Sequence, residues 1–540
     1  MIDFESPGLN DGYERLETER FIAVWRGFLF VRGCVAGADS VARLLDALES
    51  QGPAQAFALA KGAFASGVLD KRSGAAFFAV DPFGLMRLFV AGDLVSDDLV
   101  GLIRRLGYAD DELDRAGLAS FVRFGFYNLG RTIDRRIRAL AGDEIVHRPR
   151  GGNGQRIAKA FPAAAAAAFD FDAYLSDVRT AVEGQRVSLD LTGGHDSRLL
   201  AACFKQVGAG IAECATMGRP AQQDLTIARN VAQGLKLPHA SATHDAAGFE
   251  GRVLALLRVT NGQLGLATYD HAYQFGNSRL ERGMTLAISG VGGEVWKDFW
   301  WLQDYPFLGG RPNFDWLYAT RIEARKPATT GLSPSFEPAF DAAKVDYLAA
   351  MRERFGGLGR TQAYDSVYAF LRIPSVAGPW VTASILSGLP TFCPLLDLDG
   401  VTASIGKPKS ERMFAAWHRK TISRAAPEIA ALKATDGLSA RAGVAALSDL
   451  PSYLHNKAAR FAQKVAQRLG LPDVVDNALF EPGDFRTAKT DALAAESLER
   501  LAGANVVTRG VEPGDLPFAL FDRLLTAGLT ISQALPRETA

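Results

Sequence analysis

The chain has 540 residues, enough for roughly two to four domains, and its 60 basic and 60 acidic residues give a formal net charge of zero. Such a balance favours neither nucleic acid nor a membrane surface as a partner. The sequence lacks an apolar run of the ~20 residues that a membrane helix needs, and its acidic start is unlike a signal peptide. We therefore expect neither a membrane protein nor a secreted one.

The first part of the chain, to about residue 152, alternates short apolar segments with turns that contain Gly, Asp and Pro. This pattern predicts four strands and two helices, the strands at 21–33, 62–70, 74–84 and 86–93 and the helices at 39–51 and 96–108. Strands and helices in this order indicate an α+β layered domain rather than a doubly wound one. We place this domain at residues 1–160.

A connection follows at residues 161–170, where six alanines at 163–168 offer no specific side-chain contact. We assign residues 171–540 to a second domain. Its first helix, predicted at 171–184, has Phe171, Tyr174, Leu175 and Val178 on one face.

Strands alternate with helices in this second part. We predict strands at 187–191 and 211–218, a helix from about Ser197, a helix at 224–237 and a third strand before the glycines of 290–293. Such alternation indicates a parallel sheet with glycine turns at the carboxyl ends of its strands, where these sheets bind ligands. The chain from about Phe314 onward is mostly helical in pattern.

The turn after the first of these strands reads Thr192-Gly193-Gly194-His195-Asp196-Ser197. The glycines let backbone N–H groups face an anion, and the following helix points its positive end into the loop. Asp196 suits a Mg²⁺ that bridges phosphates. The lysine of the GxxxxGK[ST] phosphate loop is absent, so hydrolysis of a γ-phosphate is not the favoured interpretation.

This loop resembles the SGGxDS loop of the ATP pyrophosphatases (the PP-loop superfamily), and the wider chain resembles the asparagine synthetase family. The other segments that carry the resemblance are ATMG (215–218), QDLTIARNVAQGLKLPH (223–239), ISGVGGE (288–294) and PLLDLD (394–399), with LGRTIDRRIRALAGDEIV (129–146) and VLDKRSGAAFFAVDPFG (68–84) upstream.

The resemblance implies an Ntn-hydrolase-like glutaminase domain followed by an α/β PP-loop synthetase domain with a largely helical C-terminal part. It implies an ATP-dependent, AMP-forming ligase that adenylates a carboxylate and joins it to an amine, with ATP and Mg²⁺ required. Carried over by position, Leu191 and Met217 would flank the adenosine, and Thr192, Gly193, Gly194 and Ser197 would hold pyrophosphate. Asp196 would bind Mg²⁺, and Ser289 and Gly290 would contact the nucleotide.

The glutaminase nucleophile of that family, an N-terminal cysteine, is not matched, because Ile2 follows Met1 and the nearest cysteine is Cys34. The four cysteines, Cys34, Cys203, Cys214 and Cys393, form no CxxC pair, which fits a reducing cytoplasm, and we expect them to be buried and apolar. A degenerate glutaminase-like domain is shared by β-lactam synthetases and lasso-peptide cyclases. The expected partners are therefore a small-molecule or peptide carboxylate, with a precursor peptide and a peptidase in the lasso case.

Two further positions depart from the family. Val291 replaces an acidic residue, and Glu294, one residue out of register, is a candidate metal ligand and catalytic group, or a carboxylate that only interacts with a helix dipole. The family's late lysine aligns best with Arg412, and Lys433 is a second candidate. Either of these two residues could instead be a surface charge.

The segment 294–307 holds six aromatic residues, which could line a pocket for a large apolar substrate or belong to the core. The missing nucleophile and Val291 favour a lactam- or macrolactam-forming ligase. The alternatives are an asparagine synthetase-type enzyme that uses ammonia or glutamine, and a non-catalytic nucleotide-binding partner protein.

Overall fold

The computed structural model describes residues 12–161, 169–219, 222–297, 300, 309–323, 329–468 and 485–535. Within these ranges the protein is a mixed α/β structure with an antiparallel sheet and a parallel sheet. The sequence predicts the parallel sheet after residue 186 and, for the N-terminal part, strands in an α+β layered domain without specifying their direction.

The N-terminal elements are β1 (Glu14–Glu17), β2 (Phe21–Phe30), α1 (Ala38–Gln51), α2 (Pro53–Leu59), β3 (Lys61–Asp70), β4 (Ala76–Val80), β5 (Phe89–Ala91), β6 (Leu94–Ser96), α3 (Leu99–Leu106), α4 (Arg115–Phe124), β7 (Arg138–Ala139), β8 (Glu144–Arg148) and β9 (Gln155–Ala158). Six of the strands form an antiparallel sheet in the order β1-β2-β3-β4-β8-β9, and β6-β5-β7 form a small second sheet. The sequence pattern does not predict β9, because this edge strand is mostly exposed and its residues do not alternate.

Strand β2 is buried on both faces, which explains its nearly continuous apolar sequence. Trp25 and Leu29 pack with α1 in one core. Phe28 and Phe30 point to the other face, where they join a core that extends into the second half of the chain. The ring centroids of Phe28 and Phe392 are 4.9 Å apart. The antiparallel sheet therefore supports the parallel sheet directly.

The parallel sheet and its helices follow as α5 (Phe171–Ala181), β10 (Val187–Asp190), α6 (His195–Val207), β11 (Ile211–Met217), α7 (Gln223–Leu235), β12 (His239–Ala242), α8 (Phe249–Thr260), α9 (Leu266–Glu281), β13 (Leu286–Ile288) and, much later, β14 (Thr391–Phe392). Every pair in the order β12-β11-β10-β13-β14 is parallel. The order reverses between β10 and β13, and such a topological switch point opens a crevice at the carboxyl ends of the strands.

Helix α6 begins two residues earlier than the sequence predicts. Gly194 has an extended backbone, with φ −82° and ψ 172°, and caps the helix, so that His195 is already helical. The amphipathic helix predicted at 171–184 is confirmed as α5, with Tyr174, Leu175 and Val178 buried.

The rest of the chain is mostly helical, as predicted: α10 (Phe314–Leu317), α11 (Pro338–Phe355), α12 (Arg360–Val367), α13 (Ile373–Leu386), α14 (Leu398–Gly406), α15 (Lys409–Arg412), α16 (Ala416–Ala425), α17 (Pro427–Ala430), α18 (Leu450–Arg468), α19 (Ala488–Gly503) and α20 (Phe518–Ala534). Two π-helical turns interrupt this regularity, at Tyr318–Ile322 and Tyr368–Arg372. The alanine run at 163–168 lies outside the described residues.

One helical stretch among the described residues, Arg360–Leu386, is long and apolar enough to cross a membrane by those two criteria alone. Within the protein, 61% of its most apolar window is buried. A core helix meets the same criteria, so the stretch is only weak evidence for a membrane span.

Shortening a buried leucine of α6 should destabilise the protein. Leu200 is fully buried in the core shared by the two sheets, whereas Leu254 on α8 is 60% exposed. We expect L200A to reduce the free energy of unfolding by about 2–5 kcal/mol, because the cavity that it leaves cannot close completely. L254A should change it by less than about 0.5 kcal/mol in the same urea titration. Equal losses in the two variants would contradict the packing described here.

Candidate active site

A cavity of about 780 Å³ opens at the switch point of the parallel sheet. It lies where β10, β11 and β13 end, which is where the sequence predicts ligand binding. Eight of the predicted site residues line it, namely Leu191, Thr192, Asp196, Ser197, Met217, Ser289, Gly290 and Glu294. Gly193 and Gly194 complete the loop between Thr192 and α6 without lining the cavity.

The loop after β10 is held closed by its own hydroxyl groups. The backbone N–H of Thr192 donates to Ser197 Oγ at 3.0 Å, and the two side-chain oxygens are 3.1 Å apart. The N–H of Gly194 donates to Thr192 Oγ1 at 3.2 Å. No side chain caps the N-terminus of α6. The first N–H groups of this helix, with their positive dipole end, are therefore available to an anion in the cavity.

Gly193 is required by close packing. A Cβ at this position would overlap Thr435 Oγ1 and Asp224 Oδ1, which are hydrogen-bonded to each other. The Gly193 carbonyl also accepts from the N–H of Thr435 at 3.0 Å. The fully buried Arg198 donates to the carbonyl of Leu432 at 2.5 Å. The segment 432–435 therefore fixes the outer side of the loop.

Asp196 is the electrostatic centre of the site. Lys297 Nζ lies 2.8 and 2.6 Å from its two carboxylate oxygens, and His418 Nε2 lies 2.8 Å from Oδ1. Burial opposes the ionisation of Asp196, but Lys297 and His418 outweigh it and hold the pKa of this carboxyl well below its usual range. Asp196 is therefore a partly buried carboxylate whose surroundings favour its ionised form.

Glu294 is the second carboxyl group of the site. Burial raises its pKa, and the nearby negative charge of Asp196 raises it further. Tyr368 hydrogen-bonds to Glu294, and burial together with the charge of Glu294 raises the pKa of the phenol. The two carboxyl groups thus differ in the protonation state that their surroundings favour. Those of Asp196 favour the ionised form, whereas those of Glu294 favour the protonated form.

The structure brings neither of the predicted late basic residues to the cavity. Arg412 is buried and pairs with Asp365 at 2.7 Å. It also donates to the backbone carbonyls of Val295 at 2.7 Å and Lys297 at 3.2 Å, so it braces the segment behind Glu294 and is not a surface charge. Lys433 is exposed, and its backbone carbonyl accepts a hydrogen bond from Arg198 at 3.3 Å.

His195 is buried beneath the loop at 7% exposure, and neither of its ring nitrogens has a hydrogen-bond partner. Burial, together with the positive charges of Arg198, His418, Lys297 and Arg419, lowers the pKa of its imidazole to about 3. The surroundings of the loop are therefore strongly cationic, which favours a bound anion.

Aromatic residues also line the cavity, among them Tyr269, Trp300 and Trp380. Trp300 is the member of the predicted aromatic segment that lines the cavity, whereas Trp296 lies in the core and stacks on Trp417 with ring centroids 4.6 Å apart. The other four aromatic residues of that segment lie outside the described residues.

The expectation that the cysteines are buried holds for three of the four, Cys203, Cys214 and Cys393, and Cys34 is half-buried. Burial raises the pKa of the Cys203 and Cys214 thiols to about 12 and that of Cys393 higher still. These three thiols are unsuited to act as nucleophiles.

Sequence reasoning missed Lys297, His418 and Tyr368. Lys297 could have been predicted, because it lies only three residues after Glu294 in the turn already assigned to the site. His418 and Tyr368 come from helical segments more than 70 residues further along the chain, and nothing local marks them.

No protein-family model matches this chain, and no curated protein is similar to it at a significant level. Conclusions about the site therefore depend on its geometry.

Removing the imidazole of His195 should make the protein less sensitive to acid. Because the folded-state pKa is about 3 against a usual 6.5, the unfolded chain takes up a proton below pH 6.5 that the folded protein refuses. The stability contributed by neutral His195 is thus present above pH 6.5 and is lost as the pH falls towards 3, by about 1.4 kcal/mol per pH unit. Between pH 7 and 5, wild type should lose about 2 kcal/mol more unfolding free energy than H195N.

Urea titrations at the two pH values measure this difference, and the exposed His455 supplies the control. H455N should follow wild type at both pH values. If H195N follows wild type as well, His195 is not the buried neutral group described here.

Proposed function

We propose that this protein is an ATP-dependent ligase that adenylates a carboxylate, releases pyrophosphate and transfers the acyl group to an amine. The observation that carries the proposal is a lysine-free glycine loop at the switch point of a parallel sheet, with the partly buried Asp196 and a surrounding set of cations. An uncapped helix N-terminus and several fixed cations suit a pyrophosphate group. The resemblance to the asparagine synthetase family leads to the same chemistry.

The nucleotide contacts follow from the lining of the cavity. Leu191, which directly follows β10, and Met217, which ends β11, would flank the adenosine. Thr192, Ser197 and the backbone of Gly193 and Gly194 would hold the pyrophosphate portion. Ser289 and Gly290 would contact the adenylate from β13. A Cβ at position 290 would lie 3.1 Å from the backbone nitrogen of Ser197, so glycine keeps the two turns close.

The residues present fit a Mg²⁺ ion that arrives with a triphosphate. Within the described residues no three His, Cys, Asp or Glu side chains form a metal site of their own, but Mg²⁺ commonly uses one or two carboxylates with phosphates and water. Asp196 and Glu294 would hold it, since mutual repulsion already raises the pKa of Glu294. When bound, the ion neutralises phosphate charge.

Different side chains act in the two steps of this reaction. A substrate carboxylate oxygen bonds to the α-phosphorus while the bond to pyrophosphate breaks, and Lys297 and His418 stabilise the negative charge that develops there. The amine then bonds to the acyl carbon and AMP leaves. Glu294, with its raised pKa and its hydrogen bond from Tyr368, accepts the proton that the amine loses.

The substrate side of the cavity favours a lactam- or macrolactam-forming ligase, similar to the β-lactam synthetases and lasso-peptide cyclases. Its aromatic lining by Tyr269, Trp300 and Trp380 suits an acceptor larger and less polar than aspartate. Under this proposal the N-terminal layered domain, 1–160, is a degenerate Ntn-type domain and 171–540 is the PP-loop synthetase domain.

Neutralising Asp196 should abolish nucleotide-dependent chemistry. We expect D196N to reduce ATP–pyrophosphate exchange by about 10²-fold or more, because the loop loses its fixed carboxylate. The assay uses Mg·ATP with aspartate, amino-acid derivatives and short peptides that carry an acidic side chain. D341N, which changes an exposed aspartate on α11, is the matched control. Exchange with none of these acids, or formation of ADP and phosphate, would refute the ligase.

Removing the cation at position 297 tests the catalytic assignment separately. K297M should slow exchange by about 10²-fold while binding of Mg·α,β-methylene-ATP, measured by calorimetry, changes much less. The exposed Lys420 on α16 provides the control K420M. Unchanged exchange in K297M would show that Lys297 only neutralises Asp196.

A further inference from the structure

Four apolar side chains, Val444, Leu447, Leu450 and Leu454, form an exposed stripe. Val444 is 84% exposed, Leu447 61% and Leu454 58%. Nine large apolar side chains are exposed in the described part of the chain, and four of the nine lie in this one short stretch. Apolar side chains scattered singly over a surface are ordinary, whereas a cluster of them marks an interaction site.

The backbone aligns the members of this apolar stripe. Gly443–Asp449 is a 3₁₀ helix, in which residues three positions apart eclipse one another, so positions 444, 447 and 450 share one face. Helix α18 begins at Leu450, and Leu454 lies about one turn further along it. The residues of the same segment that pack inward are Ala446, Asp449 and Tyr453. The apolar stripe is therefore the outer face of a segment whose inner face is already packed.

The segment that carries the stripe has mostly positive charge. From residue 437 to residue 468 the chain has one acidic residue, Asp449, and five basic ones, Arg441, Lys457, Arg460, Lys464 and Arg468. Asp449 is buried, and its carboxylate accepts hydrogen bonds from Arg419 Nη1 at 3.0 Å and from the N–H of Ser439 at 2.9 Å. Because this negative charge is matched in the interior, the segment as a whole keeps an excess of positive charge.

An exposed apolar stripe in a basic segment suits an anionic lipid surface. Side chains as exposed as Val444 protrude from the protein, so they can enter a soft interface, whereas residues that line a groove are shielded by its walls. Amphipathic segments bind anionic membranes in this way, with apolar side chains among the headgroups and Lys and Arg beside them. The stripe is aliphatic and offers no ring to stack on a nucleic-acid base. Two copies of the same positively charged face would repel each other.

We propose that residues 441–457 dock this protein on the surface of a membrane that contains anionic lipids. The apolar stripe enters the headgroup layer, and the side chains of Arg441 and Lys457 contact the lipid phosphates and carboxylates. Arg441 stands three residues before the stripe and Lys457 three residues after it, so a cation flanks each end. The zero net charge of the whole chain averages over this local excess. Residues 441–457 do not line the candidate active-site cavity, so this docking is independent of the proposed ligase.

Flotation of the full-length protein with lipid vesicles tests the proposal. One set of vesicles consists of phosphatidylcholine with about one third phosphatidylserine, and the other of phosphatidylcholine alone. We expect wild type to bind the anionic vesicles about tenfold or more tightly than the neutral ones, because several cations lie near the stripe. This difference should shrink as the salt concentration rises, since salt screens exposed charges.

Two double variants separate the contribution of the stripe from that of the charges. V444S/L447S should weaken binding to the anionic vesicles by about tenfold or more, because it removes apolar area that the lipid would cover. R441Q/K457Q should weaken it by roughly tenfold or more and reduce its salt dependence. L254S changes an exposed leucine of α8 in a different segment and is the matched control, which should bind as wild type does. The thermal midpoint of V444S/L447S should equal that of wild type, because both side chains are exposed.

Three results would overturn the proposal. The first is that wild type does not bind the anionic vesicles, or binds them no more tightly than the neutral ones. The second is that V444S/L447S binds them as tightly as wild type. The third comes from sedimentation velocity without vesicles: a wild-type dimer that V444S/L447S dissociates would assign the stripe to a second copy of the chain.

Discussion

The site depends on the ionisation of one partly buried carboxylate. Asp196 is stable in its charged form because Lys297 and His418 contact it from two other parts of the chain. This cluster joins the loop after β10, the turn after β13 and helix α16. The absence of a Cβ at position 293, where it would overlap the Asp196 carboxyl group, is what lets the second turn come so close. The shape of the cavity thus depends on the contacts that keep the Asp196 carboxylate ionised.

Much of the fold and half of the site could be predicted from the sequence because the signals are local. Thr192, Ser197 and Ser289 lie within a few residues of a strand end, and strand order brings such ends together. The apolar patterns of β2 and α5 were equally informative. Strand β9 was missed, since an exposed edge strand needs no apolar alternation.

The rest of the site could not be predicted, because tertiary packing selects it. Tyr368 lines the cavity and His418 contacts Asp196, and both come from helical segments whose sequences do not mark them. Arg412 and Lys433 were both candidates for a surface charge, yet Arg412 is buried against Asp365 and Lys433 is exposed. Lys297, from the turn after β13, is the lysine that contacts Asp196.

The bracing of the segment 295–297 by Arg412 has a consequence for how activity data on this protein would be understood. Arg412 donates hydrogen bonds to the backbone carbonyls of Val295 and Lys297. Its replacement would remove these bonds beside Lys297 and leave the Asp365 carboxylate buried without its cation. A scan of cations by activity alone would then rank Arg412 with the reacting groups, although it does not line the cavity. A large effect of a substitution on activity therefore does not show that the residue contacts the reacting groups.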